Sequence, residues 1–387
     1  MVLRLNAWMD VVVVGGGIVG AAAAWRLAAA GARVVVVDRG DPGQATAAGA
    51  GIVGPWLAAE DDPVWRAAAY AAAAGYADVV AELAETGEPE VGYARVGALL
   101  VDADEAALTT LEARTRRRAA AQPVIGAVTA LPAPEAHRAF PPLRDDLGAV
   151  HVAGAARVDG RLMRDALLRS ARRHGARVRH GVAGLALAPG GRIRVVVDGT
   201  VLGADAVVVA AGAWTAELVR PLGPVVPVAP SRGQIVHLDL PDHAADTAGW
   251  PLVQPSAGPY LLGFPAGRIV AGATREPGAG FAHRVTAGGV AQVLASALAV
   301  APALASATVV ETRVGFRPQA DDDLPILGGW SELPGLVVAT GLGATGLTMG
   351  PWLGGHAARL VLGAAAPDGE PDLSPYRPDR LVEAVRR

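Results

Sequence analysis

The sequence predicts an α/β fold in which a Rossmann-like parallel sheet is interleaved with an antiparallel-sheet α+β portion. Three observations carry that expectation. Asp10–Asp38 reads strand, glycine turn, helix, strand. Apolar strands running into glycine turns recur far along the chain, at 204–215 and 335–348. Between Val225 and Val309 the pattern changes to short alternating segments such as GQIVHLDL, YLLGF and RIVAGAT, the signature of an antiparallel sheet.

The first unit is the most explicit. Val11–Val14 are four consecutive β-branched residues, suited to a strand buried on both faces. Gly15, Gly17 and Gly20 follow in G-x-G-x-x-G spacing, the alanine-rich run Ala21–Ala30 favours a helix, Gly31 closes it, and Val34–Val37 ends at Asp38. The first glycine permits the tight turn, the second lets a pyrophosphate approach the backbone, and the third lets helix and strand pack closely. Phosphates would sit on the helix N-terminus and Asp38 would face an adenosine ribose. This motif does not separate a flavin from a nicotinamide dinucleotide.

Residues 40–56 form a loop of small residues that either lets a flat ligand approach the backbone or serves as a linker. Residues 63–86 read as one helix with Trp65, Tyr70, Tyr76, Val80 and Leu83 on an apolar stripe. Strands are expected within 91–104, a charged helix from Asp104 to about Ala121, and a proline-punctuated surface excursion from Pro123 to Pro142. RVDGRLMRDALLRSARRHGARVRHG (157–181) is an amphipathic helix with arginines on a solvated face, ending near Gly175 before a short strand. RIRVVVDG is a hairpin strand, ADAVVVAAGAWT a buried strand, and 286–302 a helix. The closing strand GLVVAT and GLGATGLTMGPWLGGHAARLVLG repeat strand, glycine turn and helix, so a second helix N-terminus points towards the strand ends. Trp214 and Trp352 fit space-filling positions beside glycine turns.

At 387 residues the chain suits two domains or an interleaved pair. The expected division is 1–85, 145–224 and 310–387 for the dinucleotide-binding part, with 86–144 and 225–309 for the substrate-binding part. Hydrophobic residues at 52% and charged ones at 18% describe a compact globular protein. A net charge of −3 argues against a nucleic-acid surface. No apolar run reaches the roughly twenty residues of a membrane span. MVLRLNAWM lacks a signal-like apolar region, so a cytoplasmic protein is expected. There is no cysteine, and all 34 basic residues are arginine. Thiol catalysis, disulfides, cysteinyl attachment of a cofactor and Schiff-base chemistry are therefore excluded. The eight histidines begin at His137 and show no metal-binding spacing.

Taken together, VVVVGGGIVGAAAAWRLAAAGARVVVVD, ATAAGAGIV, ADAVVVAAGAWT, SRGQIVHL, YLLG with GRIVAGAT, GFRPQADDDLPILG and GLGATGLTMGP resemble the family of D-amino-acid oxidases, glycine oxidases and D-amino-acid dehydrogenases. The resemblance spans nearly the whole chain. It implies an FAD-binding domain interleaved with an antiparallel substrate domain. By position, Gly15, Gly17 and Gly20 would hold the pyrophosphate and Asp38 the ribose. Thr46, Gly49, Gly51 and Ile52 would line the isoalloxazine, and Val182 and Gly212 the adenine side. Ile18, Val19, Arg39, Ala211 and Trp214 are further expected cofactor contacts. Gly343, Ala344, Thr345, Gly346, Leu347 and Thr348 would bring amides to flavin N1 and the C2 carbonyl. Arg317 matches the arginine that clamps the substrate carboxylate, and Tyr260 a tyrosine that holds the substrate over the ring. The structural alternatives are an ion pair between Arg317 and Asp321–Asp323, and an ordinary half-buried strand position for Tyr260.

Leu342 and Ala344 stand where glycine oxidases tend to carry histidine and arginine, so the match leans towards dehydrogenase-like members, whose segment ends as GLT does at 346–348. Sarcosine-oxidase relatives attach flavin through cysteine and use a lysine for oxygen; this chain has neither. The resemblance thus implies noncovalent FAD and oxidation of an amino acid, a D-amino acid foremost, to an imino acid that water hydrolyses to a 2-oxo acid and ammonia. Its alternatives are a secondary amine or imino acid of the glycine, sarcosine or proline type, a noncatalytic flavin-binding assembly protein, or an NAD-dependent dehydrogenase. Oxygen or a quinone would take the electrons, and a quinone-reducing enzyme would touch a membrane only peripherally.

Overall fold

The computed structural model describes residues 9–59, 62–241, 246–256 and 258–380, so the expected lack of a signal segment falls almost wholly outside the described residues. In chain order the principal elements are β1 (Asp10–Val14), α1 (Ile18–Ala29), β2 (Arg33–Asp38), β3 (Ala98–Asp102), β4 (Val128–Leu131), β5 (Gly148–Val152), α2 (Gly160–Arg173), β6 (Arg177–His180) and β7 (Ala206–Val209). There follow β8 (Val228–Asp239), β9 (Leu252–Pro255), β10 (Tyr260–Gly263), β11 (Arg268–Gly272), α3 (Ala287–Val300), β12 (Thr308–Ala320), β13 (Ile326–Gly328), β14 (Leu336–Thr340) and α4 (Gly346–Leu362).

Two large sheets organise the chain. The first has the order β13-β14-β7-β1-β2-β6, parallel throughout except for β13. Val12 lies between Val35 and Val207. Both faces of β1 are buried: Val11 and Val13 pack with the helices α1, α2 and α4, whereas Val12 and Val14 pack with Leu185, Val195 and Val197 of a small antiparallel sheet. Each such valine contributes about 1.5–3 kcal/mol by leaving water, which explains why the strand tolerates no polar residue. The second sheet has the order β12-β8-β11-β10-β9-β3-β5-β4 and is antiparallel apart from the β9–β3 pair. One of its faces packs on α3 through Val236, Leu238, Leu261 and Val293. Its other face turns towards the carboxyl ends of the first sheet.

The structure corrects several expectations. Pro123–Pro142 is no surface excursion: it contains β4 and the helix Ala133–Ala139, with Ile125, Ala136 and Phe140 buried. Pro123 and Pro134 stand in the first turn of helical segments, where a missing N–H costs nothing, rather than marking a chain in solvent. The helix expected over 63–86 is divided at Gly75 into Pro63–Ala74 and Tyr76–Glu85. β8 is a single 12-residue strand because β11 and the 13-residue β12 pair with it on both sides. Strands β5 and β12 belong to the eight-stranded sheet, although boundaries at 145 and 310 put them with the dinucleotide-binding part. Arg169 and Arg173 of α2 are half-exposed, as a solvated face requires, yet both pair with the buried Glu88. Among the described residues no helix is long and apolar enough to cross a membrane.

Candidate active site

A cavity of about 740 Å³ lies between the carboxyl ends of the parallel sheet and the open face of the antiparallel one. That volume is within the usual range for cofactor and ligand sites, roughly 300–1,000 Å³. Gly15, Gly17, Ile18 and Val19 form one end. A Cβ at Gly15 would collide with the Ala210 carbonyl, and the residue's φ of +107° is one that only glycine adopts without strain. Gly17 caps α1 with no side chain of its own, and the Ile18 amide donates to Thr46 Oγ1 at 3.0 Å. Gly20 does not reach the cavity; a Cβ there would overlap the Gly15 carbonyl, so its task is the close approach of helix and turn.

Asp38 sits at the end of β2 on the cavity wall, with Arg39 beside it. Its carboxylate accepts from the amides of Gly16 at 2.5 Å and Gly40 at 2.7 Å, and from Gln44 Nε2 at 2.8 Å. A carboxylate offers about four acceptor sites, which leaves one for a ribose hydroxyl. Gln44 thus holds Asp38 in place on the cavity wall, a contact that the loop sequence gives no sign of.

The middle of the cavity is walled by Thr46, Gly49, Gly51 and Ile52 on one side and by Ala211, Gly212 and Trp214 on the other. Val182 lines the cavity as well. Trp214 is more than core filling, since it lines the cavity while stacking on Phe281. Trp352 does fill space, with its Nε1 donating to Glu370 at 2.9 Å. Gly343, Ala344, Gly346 and Leu347 bring the N-terminus of α4 to the wall, where no side chain caps it. Thr345 and Thr348 do not line the cavity. Thr345 donates to the Leu342 carbonyl and Thr348 to that of Ile52, at 2.9 Å each, so both brace the wall from behind.

The remaining end is built from the eight-stranded sheet. Register places Arg317, Gly233, Gly272 and Tyr260 on one face of β12, β8, β11 and β10. The glycines make room: a Cβ on Gly233 would strike the Arg317 guanidinium, and one on Gly272 would lie 2.9 Å from the Tyr260 hydroxyl. Arg317 Nη1 donates to the Thr274 carbonyl at 3.2 Å, which aims the rest of its fork. The Asp321–Asp323 run does not engage it; Asp322 pairs with Arg380, and Asp323 accepts from Gln319. Glu276 is turned to Arg232, Gln234 and Thr274. Burial lowers the affinity of Arg317 for its proton, and nearby Arg275 lowers it further. Burial also raises the Tyr260 phenol, against the pull of both arginines, so the hydroxyl is neutral and able to donate. Arg275 lines the cavity too and was not foreseen, because an exposed arginine just after a strand reads as a solvent residue. Among the described residues neither Arg317 nor Arg275 has a carboxylate partner.

The glycine cradle, the uncapped helix ends, the partly satisfied acid and the size of the cavity together fit an adenine dinucleotide. Residues 10–360 match the model of the family described as FAD dependent oxidoreductase, and the chain belongs to that family. It is 48% identical over 368 residues to "Uncharacterized oxidoreductase YurR" of Bacillus subtilis (strain 168), covering 95% of this chain and 98% of that one. Identity to the glycine oxidase of Pseudomonas putida is 32% over 378 residues, covering 96% and 98%. Among solved structures, the iminodiacetate oxidase of Chelativorans sp. BNC1 superposes with a TM-score of 0.92 at 47% identity, covering 95% of this chain and 98% of that one.

Proposed function

We propose that this oxidoreductase acts on the carbon–nitrogen bond of a carboxylate-bearing amine, and that its substrate is a secondary amine with two carboxylates, of the iminodiacetate kind. The observation that carries this reading is the pair of arginines, Arg317 and Arg275, that have no carboxylate partner among the described residues, share one cavity and both act on the Tyr260 phenol. Two cations without counter-ions suit two carboxylates, and a planar guanidinium fork matches each. Similarity to the iminodiacetate oxidase supports the choice. FAD, held noncovalently by the segments around Gly15–Gly20, Asp38, Thr46–Ile52, Ala211–Trp214 and Gly343–Leu347, would supply the acceptor for two electrons and two hydrogens from the C–N bond. Arg317 anchors the reacting carboxylate, Tyr260 donates to it, and Arg275 holds the second. Water then adds to the substrate imine, and the C–N bond breaks to leave a 2-oxo acid and an amine. Positioning is the protein's main contribution.

In this reading residues 1–85, 145–224 and 310–387 chiefly hold the cofactor and 86–144 with 225–309 the substrate, β5 and β12 reaching across. A second reading, oxidation of a D-amino acid, keeps Arg317 in its role and turns Arg275 to solvent; the exposure of Arg275 favours it. Anaerobic bleaching of the flavin by iminodiacetate, N-methylglycine, glycine and D- and L-alanine separates the two. Iminodiacetate should bleach fastest; rapid bleaching by D-alanine with none by iminodiacetate would sink the dicarboxylate reading. Reoxidation by air or by a quinone then identifies the acceptor.

A further inference from the structure

Strand β12 meets the cofactor-lining segments repeatedly. Arg313 donates to the Ala47 carbonyl at 3.4 Å, the Phe316 amide donates to the Gly43 carbonyl at 2.9 Å, and Gln319 bridges to Leu342. Arg317 lies between the last two contacts, so the strand that presents the substrate arginine is stitched to the cofactor walls on either side of it. Phe316 is the tightest stitch. Its ring is 1% exposed and packs against the bare Cα of Gly43, where a Cβ would collide with it. Next to Gly43, Gln44 holds Asp38 through the 2.8 Å bond already described. The other edges of the Phe316 ring meet Trp214, at 5.9 Å and 87°, and Phe281, at 5.4 Å and 79°. Phe281 in turn stacks on Trp214 at 4.9 Å and 14°. The aromatic trio therefore joins the ribose loop, the turn after β7, the segment that follows Arg275 and the residue preceding Arg317.

We propose that Phe316 is a positioning residue that sets the ribose-side acid Asp38 and the substrate arginine Arg317 in one register, so that cofactor retention and carboxylate binding weaken together when its ring is lost. The inference rests on the reading of Arg317 as the carboxylate anchor. Phe316 also lines the cavity but touches no reacting atom in this scheme; it acts through Gly43–Gln44 on one side and through Arg317 on the other. Phe281 holds the ring from outside the cavity.

The test uses the full chain stripped of FAD and titrated with FAD by flavin fluorescence, followed by titration of the reconstituted protein with acetate and with oxydiacetate, read from the flavin absorbance. Oxydiacetate is the ether counterpart of iminodiacetate and has no amine to oxidise. Phe316→Leu should raise the Kd of FAD about tenfold, the size expected when an aromatic contact is removed, and raise the Kd of acetate severalfold. Phe281→Ala, at a half-exposed position that leaves both cores intact, should shift both in the same direction by a smaller factor. Arg317→Ala should weaken acetate alone. Combining Gly43→Ala, whose Cβ crowds the ring, with Phe316→Leu, which makes room, should cost less than the sum of the two single changes. The proposal is overturned if Phe316→Leu and Phe281→Ala alter FAD or acetate binding but not both, or if they lower only the melting temperature of the stripped protein. If wild-type protein binds acetate but not oxydiacetate, the dicarboxylate reading fails, while a joint weakening of FAD and acetate in Phe316→Leu still upholds the coupling.

Discussion

The two ends of the cavity are made in opposite ways. At the end that fits the dinucleotide, the wall offers backbone amides and bare glycines, and the residues concerned are neighbours in sequence: Gly15 to Val19 and, twenty residues on, Asp38. At the end proposed for the substrate, the wall is made of side chains, which come from β10, β12 and the segment after β11 and are brought to one face by strand register. The first design is intolerant of any added atom. The second is graded, because each side chain contributes one contact and leaves the frame standing.

Four expected outcomes would break or sharpen that contrast. The largest belongs to Gly20→Ala, whose Cβ cannot coexist with the Gly15 carbonyl. Purified protein should lack flavin, and retention of stoichiometric flavin would show that the cradle is looser than its geometry. Next is an effect of pH on the substrate sheet. His237 on β8 is buried, and neither ring nitrogen has a hydrogen-bond partner among the described residues. Glu311 is 3.9 Å away and Arg313, Arg268 and Arg161 surround it; burial is the main cause that pushes its pKa down to about 4. Between the ordinary 6.5 and about 4, the unfolded chain binds a proton that the folded chain refuses. Stability is therefore whole above that window and lost as pH falls through it, by about 3 kcal/mol in all. Glu311, whose carboxyl is itself lowered, acts in the same direction. His237→Leu should flatten the decline in melting temperature from pH 7 to 4.5, and an unchanged slope would remove His237 as its source.

Arg317→Ala comes third. It should raise the Kd for a carboxylate ligand about a hundredfold, as loss of a buried charge-assisted pair does, while FAD stays bound. Loss of flavin together with the ligand would mean that the two ends are not separable at this residue. The smallest change is Arg275→Gln, a substitution at an exposed position. KM for iminodiacetate should rise about two- to fivefold with KM for N-methylglycine unchanged, as expected for a rim-exposed ion pair. Equal increases for both substrates would make Arg275 a general rather than a selective contact.

The same contrast explains what could be read in advance. Val11–Val14, the three glycines and Asp38 were legible because a βαβ unit encodes its own geometry over fewer than thirty residues. Arg317 and Tyr260 stood out only through family resemblance. Gln44, Arg275, Phe281 and Phe316 carried no local signal, since a loop glutamine, an exposed arginine and two phenylalanines look alike whether they face solvent, core or ligand. The prolines of 123–142 misled for a related reason: proline marks the start of a helical turn as readily as a break, and only burial of Ile125 and Phe140 distinguishes the two.

By itself, then, the sequence determined the parallel sheet, the dinucleotide cradle and the chemistry ruled out by missing cysteine and lysine, because these depend on short-range sterics and on composition. Tertiary structure decided which side chains meet at the far end of the cavity. Strand pairing between residues as distant as Tyr260, Gly272, Ile235 and Arg313 puts those side chains on a common face, and register over such separations is settled by packing that no single stretch contains.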